Sequence, residues 1–334
     1  MQAAIYGLEG FALKDEERGF FRDAEPAGFI LFRRNCENQE QMLRLTDALR
    51  DVAGRDVPIL IDQEGGRVAR MRPPAWPAFP AAERFAHLYR AAPQSAIEAV
   101  RANARALALM LRAVGVNVNA LPLLDVRQEG ATDIIGDRAL GSEPMQVAAL
   151  GRAVLDGMAS AGVVGIVKHM PGHGRALVDS HKELPVVTAS AEELETDLEP
   201  FERLASAPMG MTAHVVYEAW DGERPASLSP TVIRDIIRER IGFDGWLMSD
   251  DLGMEALQGD FASRAAGVVA AGCDVGLHCS GKMDEMIAVA SAVPAMSAEG
   301  HDRLARAMAG TRIDLDNVDF AEEISKRDQL LALA

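Results

Sequence analysis

The sequence predicts a single (β/α)8 barrel, an α/β fold of the TIM type occupying residues 1–334. Three observations lead there. Eight short apolar runs recur along the chain, amphipathic helical patterns fill most of the intervals, and polar residues gather where the runs end. The competing arrangement of alternating strands and helices is an open doubly wound sheet, which ordinarily shows a GxGxxG turn after its first strand. Gly7 and Gly10 do not make that turn.

The runs span residues 3–6, 28–32, 58–62, 116–120, 165–169, 209–213, 245–250 and 274–279. They are rich in Val, Ile and Leu and do not alternate cleanly, the pattern of strands buried on both faces. Between them, Val100, Ala104, Leu107, Leu111 and Val114 mark one helical stripe. Leu194, Leu198, Phe201 and Leu204 mark another, opened by Ser190 and Glu193 as a capping box. Pro200 falls inside that helix and is expected to kink or split it. The proline-rich stretch RPPAWPAFP at 72–80 reads as a rim loop after the third strand, and C-terminal helices are expected over about 282–334.

Composition narrows the function classes. Apolar residues make up 49% of the chain and charged residues 25%, enough apolar surface for one large core. A net charge of −16 argues against nucleic-acid and anionic-membrane partners, which need a basic face. Cys36, Cys273 and Cys279 form neither a CxxC pair nor a disulfide framework, as expected in a reducing compartment. The first residues lack the pattern of a secretory signal and no run is long enough to cross a bilayer, so a cytoplasmic location is expected.

In such a barrel, chemistry is built at the carboxyl ends of the strands. Asp62, Asp125, Lys168–His169, His214 and Asp250–Asp251 all end or follow a run. One charge there reads as a cap or salt bridge; five converging positions describe a pocket. The densest segment is KHMPGHG at 168–174, followed by Asp179-Ser180-His181 and Pro185. Its glycines and proline describe a shaped loop, in which Asp179 can orient the His181 imidazole for proton exchange.

These segments together resemble a known family. KHMPGHG…DSH…LP is similar to the KHFPGHG…DSH…LP segment of family 3 β-N-acetylglucosaminidases. GFILFRRN at 28–35, DQEGGRVAR at 62–70, IGDRALG at 135–141, PASLSP at 225–230 and SDDLGM at 249–254 agree in order, so the likeness runs from about 28 to 280. The chain departs at Met170, where Phe is usual, and at Gly253, where Ser is common. The resemblance implies Asp250 as nucleophile, and His181 as acid/base with Asp179 orienting it. It also implies Asp62, Arg70, Arg138, Lys168 and His169 as sugar-binding residues. It further implies a retaining exo-β-N-acetylglucosaminidase of cell-wall recycling, cleaving GlcNAc from anhydromuramyl-peptide fragments without cofactor or metal.

Other readings keep a place. His169, His173, Asp179 and His181 are all metal-ligand types, but their spacing fits neither HExxH nor a zinc CxxC pattern. His173 and His214 divide between substrate contact and loop architecture, and Trp76 and Trp220 between stacking on a sugar and filling the rim. Asp251 and Cys279 read as structural. A β-glycoside phosphorylase, a broader β-glucosidase or β-hexosaminidase, and a sugar-binding barrel without turnover are the functional alternatives.

Overall fold

Each of the eight apolar runs forms a strand of one closed parallel barrel in the computed structural model, which describes all residues except 129, 132, 181, 312, 314–318 and 334. In chain order the strands are β1 (Gln2–Gly7), β2 (Pro26–Leu31), β3 (Ile59–Ile61), β4 (Val118–Asn119), β5 (Val164–Met170), β6 (Val186–Val187), β7 (Met209–Thr212), β8 (Val216–Tyr217), β9 (Asp221–Pro225), β10 (Trp246–Asp251) and β11 (Val275–His278). The barrel uses β1–β5, β7, β10 and β11, each beside its neighbour along the chain, and β1 closes it against β11. Closure has a defined register: Ile5 of β1 pairs with Leu277 on one side and Gly28 on the other. All residues of β2 and β5 are buried, as unalternating apolar sequence requires. The fourth strand is shorter than its apolar run, but the chain beyond it stays beside β5, the Ile166 N–H donating to the Leu121 carbonyl at 3.0 Å and the Lys168 N–H to that of Pro122 at 3.1 Å.

The outer layer comprises α1 (Asp15–Ala24), α2 (Gln39–Ala53), α3 (Ala82–Ala91), α4 (Pro93–Arg112), α5 (Pro144–Ala159), α6 (Ala191–Arg203), α7 (Phe261–Ala271), α8 (Met283–Ala292), α9 (Ala298–Met308) and α10 (Phe320–Leu331). A π-helical segment, Val232–Arg240, covers the crossover between β7 and β10, with the Ile241 N–H reaching the Ile236 carbonyl five residues back. Helix α2 shows how sequence sets these elements. Asn38 accepts the Gln41 N–H at 2.9 Å to start it, and Gly54 ends it at φ 64°, a left-handed conformation suited to glycine. Its buried stripe of Met42, Leu45, Leu49 and Val52 faces the strands, each side chain stabilising the fold by roughly 1.5–3 kcal/mol.

One expectation needs correction, and one element is additional. Helix α6 begins at the Ser190–Glu193 capping box but is not split by Pro200. The proline lies in its last turn, where the missing N–H withdraws a partner only from the Thr196 carbonyl. The additional element is a small extra sheet, β6–β8–β9, which the apolar pattern does not announce. It ties the loop after β5 to the loop after β7: the Val216 N–H donates to the Pro185 carbonyl at 2.9 Å, and Glu218 to Val187 at 3.1 Å.

The C-terminal helices belong to the same unit. Helix α10 lies on α4 through Arg105–Glu323 at 2.9 Å and Lys326–Glu98 at 3.0 Å, with Arg327 donating to Asn103 at 3.3 Å. Among the described residues, no helix is long and apolar enough to cross a membrane.

Candidate active site

A cavity of about 390 Å³ opens at the carboxyl ends of the strands, within the size range of small-molecule sites. Its lining includes Asp62, Arg70, Arg138, Lys168, His169, His173, Asp179 and Asp250. Parallel strands explain the convergence: β3 delivers Asp62 just past Ile61, β5 ends in Lys168-His169-Met170, and β10 ends in Asp250-Asp251. His181 lies outside the described residues.

One wall is a chain of alternating charges. Arg70 Nη2 meets Asp62 Oδ2 at 3.1 Å, and Lys168 Nζ bridges Asp62 Oδ1 at 3.1 Å and Glu64 Oε1 at 2.7 Å. Arg138 then grips Glu64 with two bonds of 2.8 Å. Lys168 is only 2% exposed, and an unpaired ammonium there would cost several kcal/mol. The two carboxylates remove that cost. Burial alone would raise the Asp62 and Glu64 carboxyls, but Lys168, with Arg70 at Asp62 and Arg138 at Glu64, holds both below the usual range. Three cations and two anions leave the wall with one net positive charge and fixed donors facing the cavity. Such donors suit sugar hydroxyl and amide oxygens. The Arg70 guanidinium also lies 5.1 Å from the Phe32 ring centroid, which limits its rotation.

Glu64 was not among the residues singled out from the sequence. Its signal is its place in DQEGG: two residues beyond Asp62 in an extended segment, it falls on the same side of the chain. Asp125 also emerges with a defined task. Fully buried, it accepts the His169 N–H at 3.1 Å and the His173 N–H at 2.7 Å, and pairs with His169 Nδ1 at 2.8 Å. It thereby fixes the loop after β5 and orients the His169 ring. That loop is pinned further by the Tyr217 hydroxyl donating to the Gly172 carbonyl at 2.8 Å, and by Arg175 on Asp197 at 2.6 Å. A Cβ on Gly174 would sit 1.9 Å from the Val126 carbonyl oxygen, so the backbone approach requires glycine.

The two aspartates ending β10 differ in surroundings. Both line the cavity, and Asp250 Oδ1 accepts the Asp251 N–H at 2.8 Å. Asp251 Oδ1 accepts the N–H groups of Gly253 at 2.9 Å and Cys279 at 3.2 Å. Those bonds make Asp251 an anchor for two rim loops. Burial, reinforced by Asp250, pushes its carboxyl up. Cys279 lines the cavity as a neutral thiol, raised by burial and by the carboxylates of Asp251, Asp62 and Asp250.

Three residues offered as possible sugar contacts lie elsewhere. His214 is buried behind the cavity, its Nδ1 2.6 Å from Ser227 Oγ and its Nε2 donating to the Asp251 carbonyl at 3.0 Å. The PASLSP segment thus supplies a hydroxyl that holds His214 under the end of β10. Trp76 is buried in the core, and Trp220 packs against Tyr217 with ring centroids 5.3 Å apart. Neither lines the cavity. His173 does line it, and its Nε2 lies 3.2 Å from Ser180 Oγ. Among the described residues, no cluster of three or more His, Cys, Asp or Glu is placed to hold a metal.

Comparison with known proteins agrees with this fold. Residues 3–308 match the model of the glycosyl hydrolase family 3 N-terminal domain. The β-hexosaminidase of Bordetella avium is 37% identical over 278 residues, 82% of this chain and 79% of its own length. That of Methylococcus capsulatus is 38% identical over 322 residues, 93% of each. The structure of NagZ from Neisseria gonorrhoeae in complex with N-trifluoroacetyl-D-glucosamine superposes with a TM-score of 0.89 at 31% identity, covering 99% of this chain and 98% of that one. A family 3 β-N-acetylglucosaminidase from Paenibacillus gives 0.87 at 28% identity, covering 98% of this chain and 66% of that one. By the span of the family match and the identity of these relatives, the chain belongs to glycoside hydrolase family 3.

Proposed function

We propose that this glycoside hydrolase, a β-N-acetylhexosaminidase, works as a retaining exo-β-N-acetylglucosaminidase with Asp250 as nucleophile and His181 as acid/base. The observation that carries the reading is the meeting of Asp250, Asp179 and the five-charge wall around one cavity. The wall residues Arg70, Asp62, Lys168 and Arg138, with His169, hold the terminal sugar. The Asp250 carboxylate attacks the anomeric carbon while His181 gives its proton to the departing glycosidic oxygen. That step breaks the C–O bond and leaves a glycosyl-Asp250 ester and a neutral imidazole. The imidazole then takes a proton from water as the water oxygen attacks the same carbon, freeing Asp250 and the sugar. Asp179 orients His181 and supports its charged form.

The substrate we propose is GlcNAc linked to anhydromuramyl peptides, turned over in the cytoplasm during cell-wall recycling. It rests on the motif resemblance and on a neighbour solved with an N-acylated glucosamine. The testing experiment compares aryl β-GlcNAc with aryl β-glucoside, with and without EDTA. It also assays for sugar-1-phosphate in the presence of phosphate. Preferred cleavage of the GlcNAc substrate, unaffected by chelation and yielding free sugar, is expected. Asp250→Asn should lower kcat by several orders of magnitude and Asp251→Asn far less. An active Asp250→Asn beside an inert Asp251→Asn would reverse the assignment.

A further inference from the structure

His173 and Ser180 lie seven residues apart on the loop that also carries Asp179 and His181. The near end of this loop is fixed: Asp125 holds the His173 N–H at 2.7 Å, Tyr217 holds the Gly172 carbonyl, and Gly174 is pressed on Val126. The far end enters the small sheet at β6. Between these ends the described residues make no strand or helix, and Leu177 is 68% exposed. Ser180 is nevertheless only 2% exposed, its hydroxyl 3.2 Å from His173 Nε2. The contact joins the loop's rigid part to the residue lying directly between Asp179 and His181.

We infer that His173 is a positioning residue for proton transfer, setting the place of the Asp179–His181 segment by holding the Ser180 hydroxyl. The inference rests on the dyad reading above and deepens it. Both histidines of the motif are then held by one buried carboxylate, His169 through its ring and His173 through its backbone N–H. Asp125 orients the His169 ring directly and fixes the backbone from which His173 reaches Ser180. The His169 and His173 rings also touch edge to face, with centroids 5.7 Å apart at an interplanar angle of 65°. Burial, with His169 adjacent, lowers His173 to about 4, so its ring is neutral near pH 7 and the bond to Ser180 is an ordinary one. Backbone on either side of a fixed hydroxyl is restrained, and misplacing a proton donor by about 1 Å can cost on the order of a hundredfold in rate.

The test measures kcat/KM, which reports the glycosylation step, for His173→Ala, His173→Gln, Ser180→Ala and the His173→Ala/Ser180→Ala double variant. Substrates are aryl β-GlcNAc compounds whose phenols span a wide acidity range, with His181→Ala in parallel and thermal unfolding of each variant recorded. Each single variant should lose roughly tenfold or more on the least acidic phenol and little on the most acidic, which needs no proton. The double variant should be no worse than the singles, and glutamine, which places an amide near the lost Nε2, should recover most of the loss. Losses equal across all phenols, or multiplying in the double variant, would make the contact purely structural and overturn the inference. Should His173→Ala not fold, Ser180→Ala and His173→Gln decide by the same criteria. A His181→Ala variant insensitive to leaving group would instead overturn the dyad reading itself.

Discussion

Glu64 offers the most direct test of the charged wall. Its side chain is 5% exposed and binds Lys168 at 2.7 Å and Arg138 twice at 2.8 Å. Glu64→Gln keeps the shape but removes the charge, leaving Arg70, Lys168 and Arg138 with Asp62 as sole counter-ion. Removing one partner of a buried ion pair costs about 3–5 kcal/mol, and the retained amide oxygen places this change near the lower end. With an unfolding entropy of about 2.1 cal/mol/K per residue, 334 residues give roughly 0.7 kcal/mol/K, so Tm should fall by about 4 °C. Lys168 and Arg138, the proposed sugar donors, also lose their shared brace. Weakening one charge-assisted bond by about 2 kcal/mol should lower kcat/KM roughly 30-fold. The stability effect carries a pH signature. The folded-state Glu64 carboxyl lies below its ordinary 4.5, so its contribution is complete above that value and fades as pH falls through the folded-state value. The variant should therefore lose stability less steeply on acidification. Aryl β-GlcNAc kinetics and thermal unfolding from pH 3 to 7 measure all three effects. A variant within about twofold in kcat/KM and 1 °C in Tm of the parent would show that Lys168 and Arg138 hold their places without Glu64.

Two further outcomes follow from buried groups outside the cavity lining. His214→Phe should lower kcat/KM by a similar factor for every leaving group, because it loosens the Asp251 backbone beside the proposed nucleophile and leaves the acid untouched. A loss confined to poor leaving groups would contradict that. Asp197 is a buried carboxyl raised from 3.8 to about 6, because burial outweighs its bond to Arg175. A raised carboxyl contributes most below its unfolded value and loses that contribution as pH rises through about 6. The loss is roughly 3 kcal/mol between pH 4 and 7. Asp197→Asn should abolish that part of the pH dependence of Tm, and an unchanged slope would refute it.

How much of this was legible in the sequence depends on the range of the interaction involved. The barrel strands were, because a strand covered on both faces must be apolar throughout, and that constraint is written in four to six consecutive residues. The rim was legible for the same reason inverted: a charge such as Asp62 or Asp250 at the end of an apolar run is conspicuous. The β6–β8–β9 sheet was not, because Val186–Val187 and Val216–Tyr217 are too short to show a period, and they pair only because the barrel brings two loops together. His214 illustrates the same limit. As a histidine after a strand it resembled a site residue, and only its bonds to Ser227 and the Asp251 carbonyl show what it holds.

Residue type and strand position therefore fixed which groups could reach the cavity, while their pairing arose from long-range closure. Asp62 and Lys168 are 106 residues apart, and Glu64 and Arg138 are 74 apart. A buried lysine between two carboxylates is stable only when all three arrive together, so each charged side chain presupposes the finished barrel. That dependence explains why the residues marked by motif and those marked by geometry differ. The motif names the groups proposed to act at the sugar. Glu64, Asp125 and Ser180 are polar groups buried around those residues, each joined to one of them or to a residue beside it. Because they act through their neighbours, substituting them should alter geometry and proton transfer before it alters composition of the pocket. Leaving-group slopes and pH profiles, more than total activity, are where such residues become visible.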